Sequence, residues 1–164
     1  MSSHYDIIMP RVPIDLYWEV DAARPRGLLP VGLRSPLAAR KAVERIASYF
    51  RRECAFDFLQ YSAKGDDASA FLWVGSRYIG ETNVAHGAAC FRRLVDGWML
   101  SWVWLHPYMR DQGLLTKAWS YFEAKFGEFF VDPPLSPAMK SFLIKRNALS
   151  HAPYLKPPQL AVLP

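Results

Sequence analysis

The chain has 164 residues, enough for one domain with a real core and too few for two comfortable ones. Of these, 51% are apolar and 15% aromatic, which excludes a disordered chain, and a formal charge of +5 favours an anionic ligand, cofactor or partner. The basic residues are scattered rather than gathered into a stripe with exposed aromatics, so nucleic acid is not an expected partner. No apolar run approaches a membrane span, no basic-then-apolar leader opens the chain, and a cytoplasmic location is expected. Cys54 and Cys90 lack metal-ligand spacing and read as buried thiols in strand-like segments of a reducing compartment; no metal is expected.

In chain order, Met1 to Pro10 reads as a tail or edge strand and Ile14 to Val20 as a strand. From Asp21 to Arg34, Pro25, Gly27, Pro30 and Gly32 argue against helix and strand alike and predict an irregular loop. Ser35-Pro36 is a cap-and-proline helix start, and the helix runs to about Glu53 with Leu37, Ala38, Val43, Ile46, Ala47 and Phe50 on its apolar face. Alternation predicts a strand over Ala55 to Tyr61, followed by a turn at Lys64 to Asp67 and a strand from Ala70 to Ile79, broken near Gly75-Ser76. Gly80 to Gly87 reads as a polar connection, in which Glu81, Asn83 and His86 are solvated or line a pocket. Ala88 to Leu94 is then a strand that Asp96-Gly97 folds back on the next one.

Trp98 to Leu105 is apolar except for Ser101 and reads as a central strand buried on both faces, with Trp102 and Trp104 on one side and Ser101 and Val103 on the other. His106-Pro107 ends it. Arg110, Asp111, Gln112 and Gly113 lead into a helix where Leu114, Leu115, Ala118, Trp119, Phe122 and Phe126 recur at helical spacing. A helix N-terminus beyond a strand end, beside an arginine and a glycine, suits an anion; an ordinary connection with a solvated arginine fits the same residues. Gly127 is a C-cap, and Phe129 to Val131 is a short strand that the helical crossover makes parallel to the central one. Ser136-Pro137 starts a last helix to about Arg146, with Met139, Phe142 and Leu143 on its apolar face, and 147–164 is a proline-rich, extended tail of the same single domain. The fold class is α+β: a mixed, mostly antiparallel sheet with one parallel pair, flanked by helices.

Gly87 to Arg146 resembles the core of the GNAT superfamily of acetyl-CoA-dependent N-acyltransferases. Val103-Trp104-Leu105-His106-Pro107 is similar to that family's strand end, and Arg110-Asp111-Gln112-Gly113-Leu114-Leu115 to its pyrophosphate loop. The resemblance implies acetyl-CoA as cosubstrate, with pantetheine along Val103, Trp104 and Leu105, and pyrophosphate at Arg110, Asp111, Gln112, Gly113, Leu114, Leu115 and Thr116. It implies an amine-bearing acceptor, small molecule or protein, attacking directly in a ternary complex. Leu115 stands where the family usually has Gly or Ala, and Ala138 is followed four residues later by Phe142 rather than the Tyr that protonates the departing thiolate in many members. The run PPLSPAMKSF, 133–142, also resembles the proline-rich turn and helix of the cohesin acetyltransferases.

Proton transfer then falls to few side chains. Ser101 and Ser136 are the catalytic candidates, against plainer roles as a core hydroxyl and a helix cap; Asp96 and His106 are weaker ones. Since 147–164 holds at most one strand where the family has two, the acceptor site is either open or completed by a partner subunit in a homodimer. The missing Tyr keeps a second reading alive, that of a catalytically silent acyl-CoA sensor.

Overall fold

The computed structural model describes residues 9–12, 24–75 and 83–154, and within them a five-stranded mixed sheet lies between helices. β1 (Leu28–Val31), β2 (Ser69–Gly75), β3 (Val84–Leu94) and β4 (Gly97–Leu105) pair antiparallel in that order, and β5 (Phe130–Val131) joins β4 in parallel. α1 (Leu37–Cys54) connects β1 to β2, α2 (Leu114–Phe126) crosses from β4 to β5, and α3 (Pro137–Lys145) follows. This is the expected α+β arrangement, parallel pair included.

The central strands read as unbroken apolar runs because both faces are covered. On one face α1 packs Ala39, Val43, Ile46 and Ala47 onto Leu72, Val74, Ala88, Cys90, Trp102 and Trp104. The small alanines let the helix lie close to the sheet. On the other face α2 and α3 set Trp119, Phe122, Phe126 and Leu143 against Phe71, Trp73, Ala89, Phe91 and Leu100. Phe91 stacks on Phe126 with centroids 4.2 Å apart, and Phe71, Phe122 and Phe129 surround the pair. Each such ring removed from water contributes about 1.5–3 kcal/mol.

Several expectations are corrected. Leu28–Val31 is a strand, not loop: it is the sheet's edge, where Pro30 needs no ladder donor on its open side. Residues 55–61 are not a strand. Ala55 takes a left-handed conformation (φ 56°) that ends α1, the Phe56 N–H bonds the Arg51 carbonyl, and the Phe56 ring folds back on Phe50 at 5.4 Å. Ser35 does not cap α1, because its hydroxyl accepts from the Gly32 N–H at 2.9 Å. Leu37 and Ala38 are exposed, the buried stripe beginning at Ala39. Cys54 sits at the exposed end of α1, whereas Cys90 is buried in β3 as expected.

β3 begins at Val84, so His86 belongs to the sheet rather than to a loop, while Asn83 stands just before the strand; the Val12 N–H donates to the Asn83 carbonyl and the Ala85 N–H to the Pro10 carbonyl. The tail is also more ordered than expected as far as Tyr154. A 3-10 turn at Leu149–His151 buries Ala148, His151 and Ala152, with His151 bonded to the Phe129 carbonyl and the Glu123 carboxylate. The expected strand at Ile14 to Val20, most of Met1 to Pro10, Ile79, Glu81 and 155–164 lie outside the described residues.

Candidate functional site

Register locates the centre of the site. Phe91 faces Leu100 and Cys90 faces Trp102, leaving Ser101 without a counterpart on β3. Ser101 is therefore the extra residue of a β-bulge, and the bulge reverses the side-chain alternation. Leu100 before it packs toward α2, while Trp102 and Trp104 after it pack toward α1.

β5 stops at the same place. It pairs with β4 only at Met99 and Leu100, and the Asp132 N–H makes a last bond to the Leu100 carbonyl at 3.0 Å before the cis Pro133-Pro134 turns the chain away. Beyond Ser101, β4 has no strand on its β5 side among the described residues. The His106 N–H bonds the His86 carbonyl, so by antiparallel alternation Trp104 turns its peptide groups to Ala88 on β3, and Val103 and Leu105 turn theirs into the gap. Of the three expected pantetheine positions, Val103 thus presents its backbone groups to the gap and Leu105 its N–H, the Leu105 carbonyl being bonded by Arg110 Nε. The Trp104 ring is core, 5.5 Å from Tyr49.

At the far end of the gap, a 3-10 turn over Pro107–Met109 leads to Asp111 (φ 61°) and Gly113 (φ 76°), both left-handed, and into α2. The His106 ring accepts from the Tyr108 N–H, and Gln112 donates to the Tyr108 carbonyl at 2.8 Å, so both side chains brace the turn. No side chain caps α2, and the first-turn amides of Leu114, Leu115 and Thr116 stand at an exposed helix start. Arg110 is already engaged: Nε donates to the Leu105 carbonyl at 2.8 Å, Nη2 meets both Glu53 carboxylate oxygens at 2.9 and 3.0 Å, and the guanidinium lies over Trp104.

Ser101 opens instead onto a cavity of about 530 Å³. Its walls are Phe50 from α1, Phe56 and 58–62 from the segment after it, Asp66, Arg92, Ser101, Asp132 and Pro133. Arg92 forks onto Asp66 at 2.7 and 3.0 Å and donates to the Gln60 carbonyl. Burial by itself would raise the Asp66 carboxyl; the bonds from Arg92 and from the Ala68 and Ser62 N–H groups outweigh it and hold the group below its usual range. Burial pushes the Tyr61 hydroxyl up to about 12, helped by the Asp66 charge, so it stays protonated. Asp132 faces solvent on one side, yet partial burial raises its carboxyl above the ordinary value.

Of the two serines expected to be catalytic, Ser101 lies at the bulge and on the cavity, while Ser136 caps α3, accepting from the Met139 N–H at 3.1 Å, and does not line the cavity. Asp96 is in the β3–β4 turn, and Asn83 and His86 do not line the cavity either. Phe142 packs edge-on against Trp119 at 4.9 Å and supplies no proton. The residue that sequence reasoning missed is Asp132, hidden because it reads as the polar end of a short strand before two prolines. No protein-family model matches the chain and no curated protein sequence matches it. Among the described residues no His, Cys, Asp and Glu cluster suits a metal, and no helix is long and apolar enough to cross a membrane.

Proposed function

We propose that the protein is an N-acetyltransferase that moves an acetyl group from acetyl-CoA to a primary amine. The observation that carries this reading is the parting of β4 and β5 at Ser101. It leaves the Val103 peptide groups and the Leu105 N–H facing a slot, with the uncapped start of α2 at one end and the Ser101–Asp132 cavity at the other. A pantetheine arm carries amides that can pair with an open strand edge, and a diphosphate suits the amides of the 112–116 turn. The residues present therefore fit the cosubstrate, with Arg110 contributing less than its charge suggests.

Acetyl-CoA, when bound, supplies a thioester carbonyl carbon and a thiolate that can leave. The chain's own work is to deprotonate the amine, hold it, and stabilise the carbonyl oxygen as it turns anionic. A β4 N–H facing the slot serves as the oxyanion donor. Asp132, its affinity for protons raised by burial, takes the first proton from the ammonium, and Ser101 orients the nitrogen at the bulge. The nitrogen lone pair forms the new C–N bond, the C–S bond breaks, and the second amine proton reaches the thiolate through solvent.

Phe142 in place of the usual acid favours one alternative, an acyl-CoA-binding module without transfer activity. Hydrogen exchange with and without acetyl-CoA tests the shared part: slowed exchange at 103–105 and 112–116 is expected, and no change there removes both readings. Free-thiol release over an amine panel then separates transferase from silent binder.

A further inference from the structure

The cavity beside Ser101 contradicts the chemistry suggested by the chain's overall charge. Among the described residues its cation, Arg92, is spent on Asp66 and the Gln60 carbonyl, so the pair cancels and the formal charge left on the wall is the Asp132 carboxylate. The rest is largely apolar. Phe50, Phe56 and Phe58 present rings, with Phe58 itself 68% exposed at the mouth. Gln60 and Tyr61 also line the cavity, but the Tyr61 hydroxyl and the Gln60 Oε1 are themselves buried and offer it no exposed polar atom. Among the described residues an anionic acceptor finds no uncommitted cation on this wall. An ammonium finds a carboxylate and ring faces.

Resting on the acetyl-transfer reading, we propose that the acceptor is a small primary amine carried on an aromatic or similarly apolar body, its ammonium held at Asp132 and its body between Phe56 and Phe58. A volume of about 530 Å³ suits a small molecule rather than a protein surface, since such sites typically span roughly 300–1,000 Å³. Phosphate- or carboxylate-bearing amines are disfavoured, because their negative charge would meet the Asp132 carboxylate with no described cation to offset it.

The test compares 2-phenylethylamine, hexylamine, phosphoethanolamine, glutamate and a lysine-containing peptide as acceptors by free-thiol release, and titrates 2-phenylethylamine alone by calorimetry. The expected result is kcat/KM for 2-phenylethylamine at least ~30-fold above phosphoethanolamine and the peptide. Phe58→Ala, at an exposed position, should raise KM for 2-phenylethylamine about five- to tenfold with kcat and acetyl-CoA affinity little changed. Asp132→Asn should weaken direct binding of 2-phenylethylamine about tenfold. Preference for phosphoethanolamine or the peptide overturns the proposal, as does a Phe58→Ala variant with unaltered KM. If acetyl-CoA binds and 2-phenylethylamine neither binds nor reacts, the amine assignment falls and the transfer reading stands. If 2-phenylethylamine binds through Asp132 and acetyl-CoA does not bind, the transfer reading falls and the amine site remains.

Discussion

Glu53 holds Arg110 by both carboxylate oxygens, at 2.9 and 3.0 Å, tying the end of α1 to the turn that opens α2. The side chains are 39% and 47% exposed, so the pair contributes at most about 1 kcal/mol to stability, but it directs the guanidinium toward α1. Glu53→Gln is expected to leave the denaturation midpoint almost unmoved and to tighten acetyl-CoA binding about two- to fivefold at low salt, by releasing the charge toward the phosphates. Arg110→Ala is expected to weaken acetyl-CoA by less than about tenfold, since backbone amides carry the pyrophosphate. Calorimetry of the three proteins decides it; a hundredfold loss in Arg110→Ala would mean that the arginine leaves Glu53 when the cosubstrate binds.

Asp66 and Asp132 share one cavity and respond oppositely to acid. Asp66 ionises more readily in the fold than in the unfolded chain, so its stabilising effect is present above the unfolded carboxylate value of about 4 and is lost as pH falls through its lower folded value. Asp132, with its carboxyl raised, does the reverse: the fold favours its neutral form, and its effect on stability becomes less favourable as pH rises. Asp66→Asn should therefore lose about 2–3 kcal/mol at pH 7, where Arg92 is left partly buried without its partner, and much less at pH 3. Asp132→Asn should be as stable as the parent at pH 7, or slightly more so. Urea midpoints at the two pH values measure both; equal losses at pH 7 and pH 3 for Asp66→Asn would discount the ionic contribution.

Thiol labelling distinguishes the two cysteines. Cys54 is exposed at the end of α1, while burial in β3 pushes the Cys90 thiol up to about 12. Partial burial and the Glu53 charge also raise Cys54, so labelling at pH 7 should be slow and should quicken toward pH 9. One equivalent of an aromatic disulfide reagent should react with the native protein and two with the protein in denaturant. Two equivalents under native conditions would mean that β3 opens readily.

The pattern of success along the chain has physical causes. Trp98 to Leu105, α2 and the parallel β5 were legible because a doubly covered strand is apolar throughout and a crossover helix repeats every three or four residues. Ser136 was legible as a cap because Ser-Pro offers an acceptor and a preset φ; the same pair at Ser35 failed because the hydroxyl found Gly32 first. Leu28–Val31 was hidden by a proline that an edge strand tolerates, and 56–60 imitated a strand because aromatic side chains that wall a cavity alternate as sheet residues do. The bulge at Ser101, the grip of Glu53 on Arg110 and the meeting of Asp132 with Ser101 all depend on register or on contacts between distant segments, which no local pattern encodes.

Gly87 joins the fold to the proposed chemistry. Its sequence neighbours suggest a polar connection, yet it lies inside β3 opposite Leu105, the strand end that faces the slot. A β-carbon there would collide with the Leu105 side chain and stand 2.9 Å from the Trp104 carbonyl oxygen and 3.2 Å from the Trp73 ring. Leu105 can rotate, but the carbonyl belongs to β4 and can yield only if the strand moves. Gly87→Ala is therefore expected to cost about 1–3 kcal/mol and, in the fraction that remains folded, to displace β4 at 103–105 and weaken acetyl-CoA binding by more than tenfold. Gly97→Ala is a matched control far from the slot: its β-carbon meets nothing within 4 Å, although its φ of 139° brings strain of its own. Denaturation midpoints and acetyl-CoA affinity measured on both variants separate the two effects. If Gly87→Ala lowers stability more than Gly97→Ala and still binds acetyl-CoA like the parent, then β4 at 103–105 does not hold the cosubstrate.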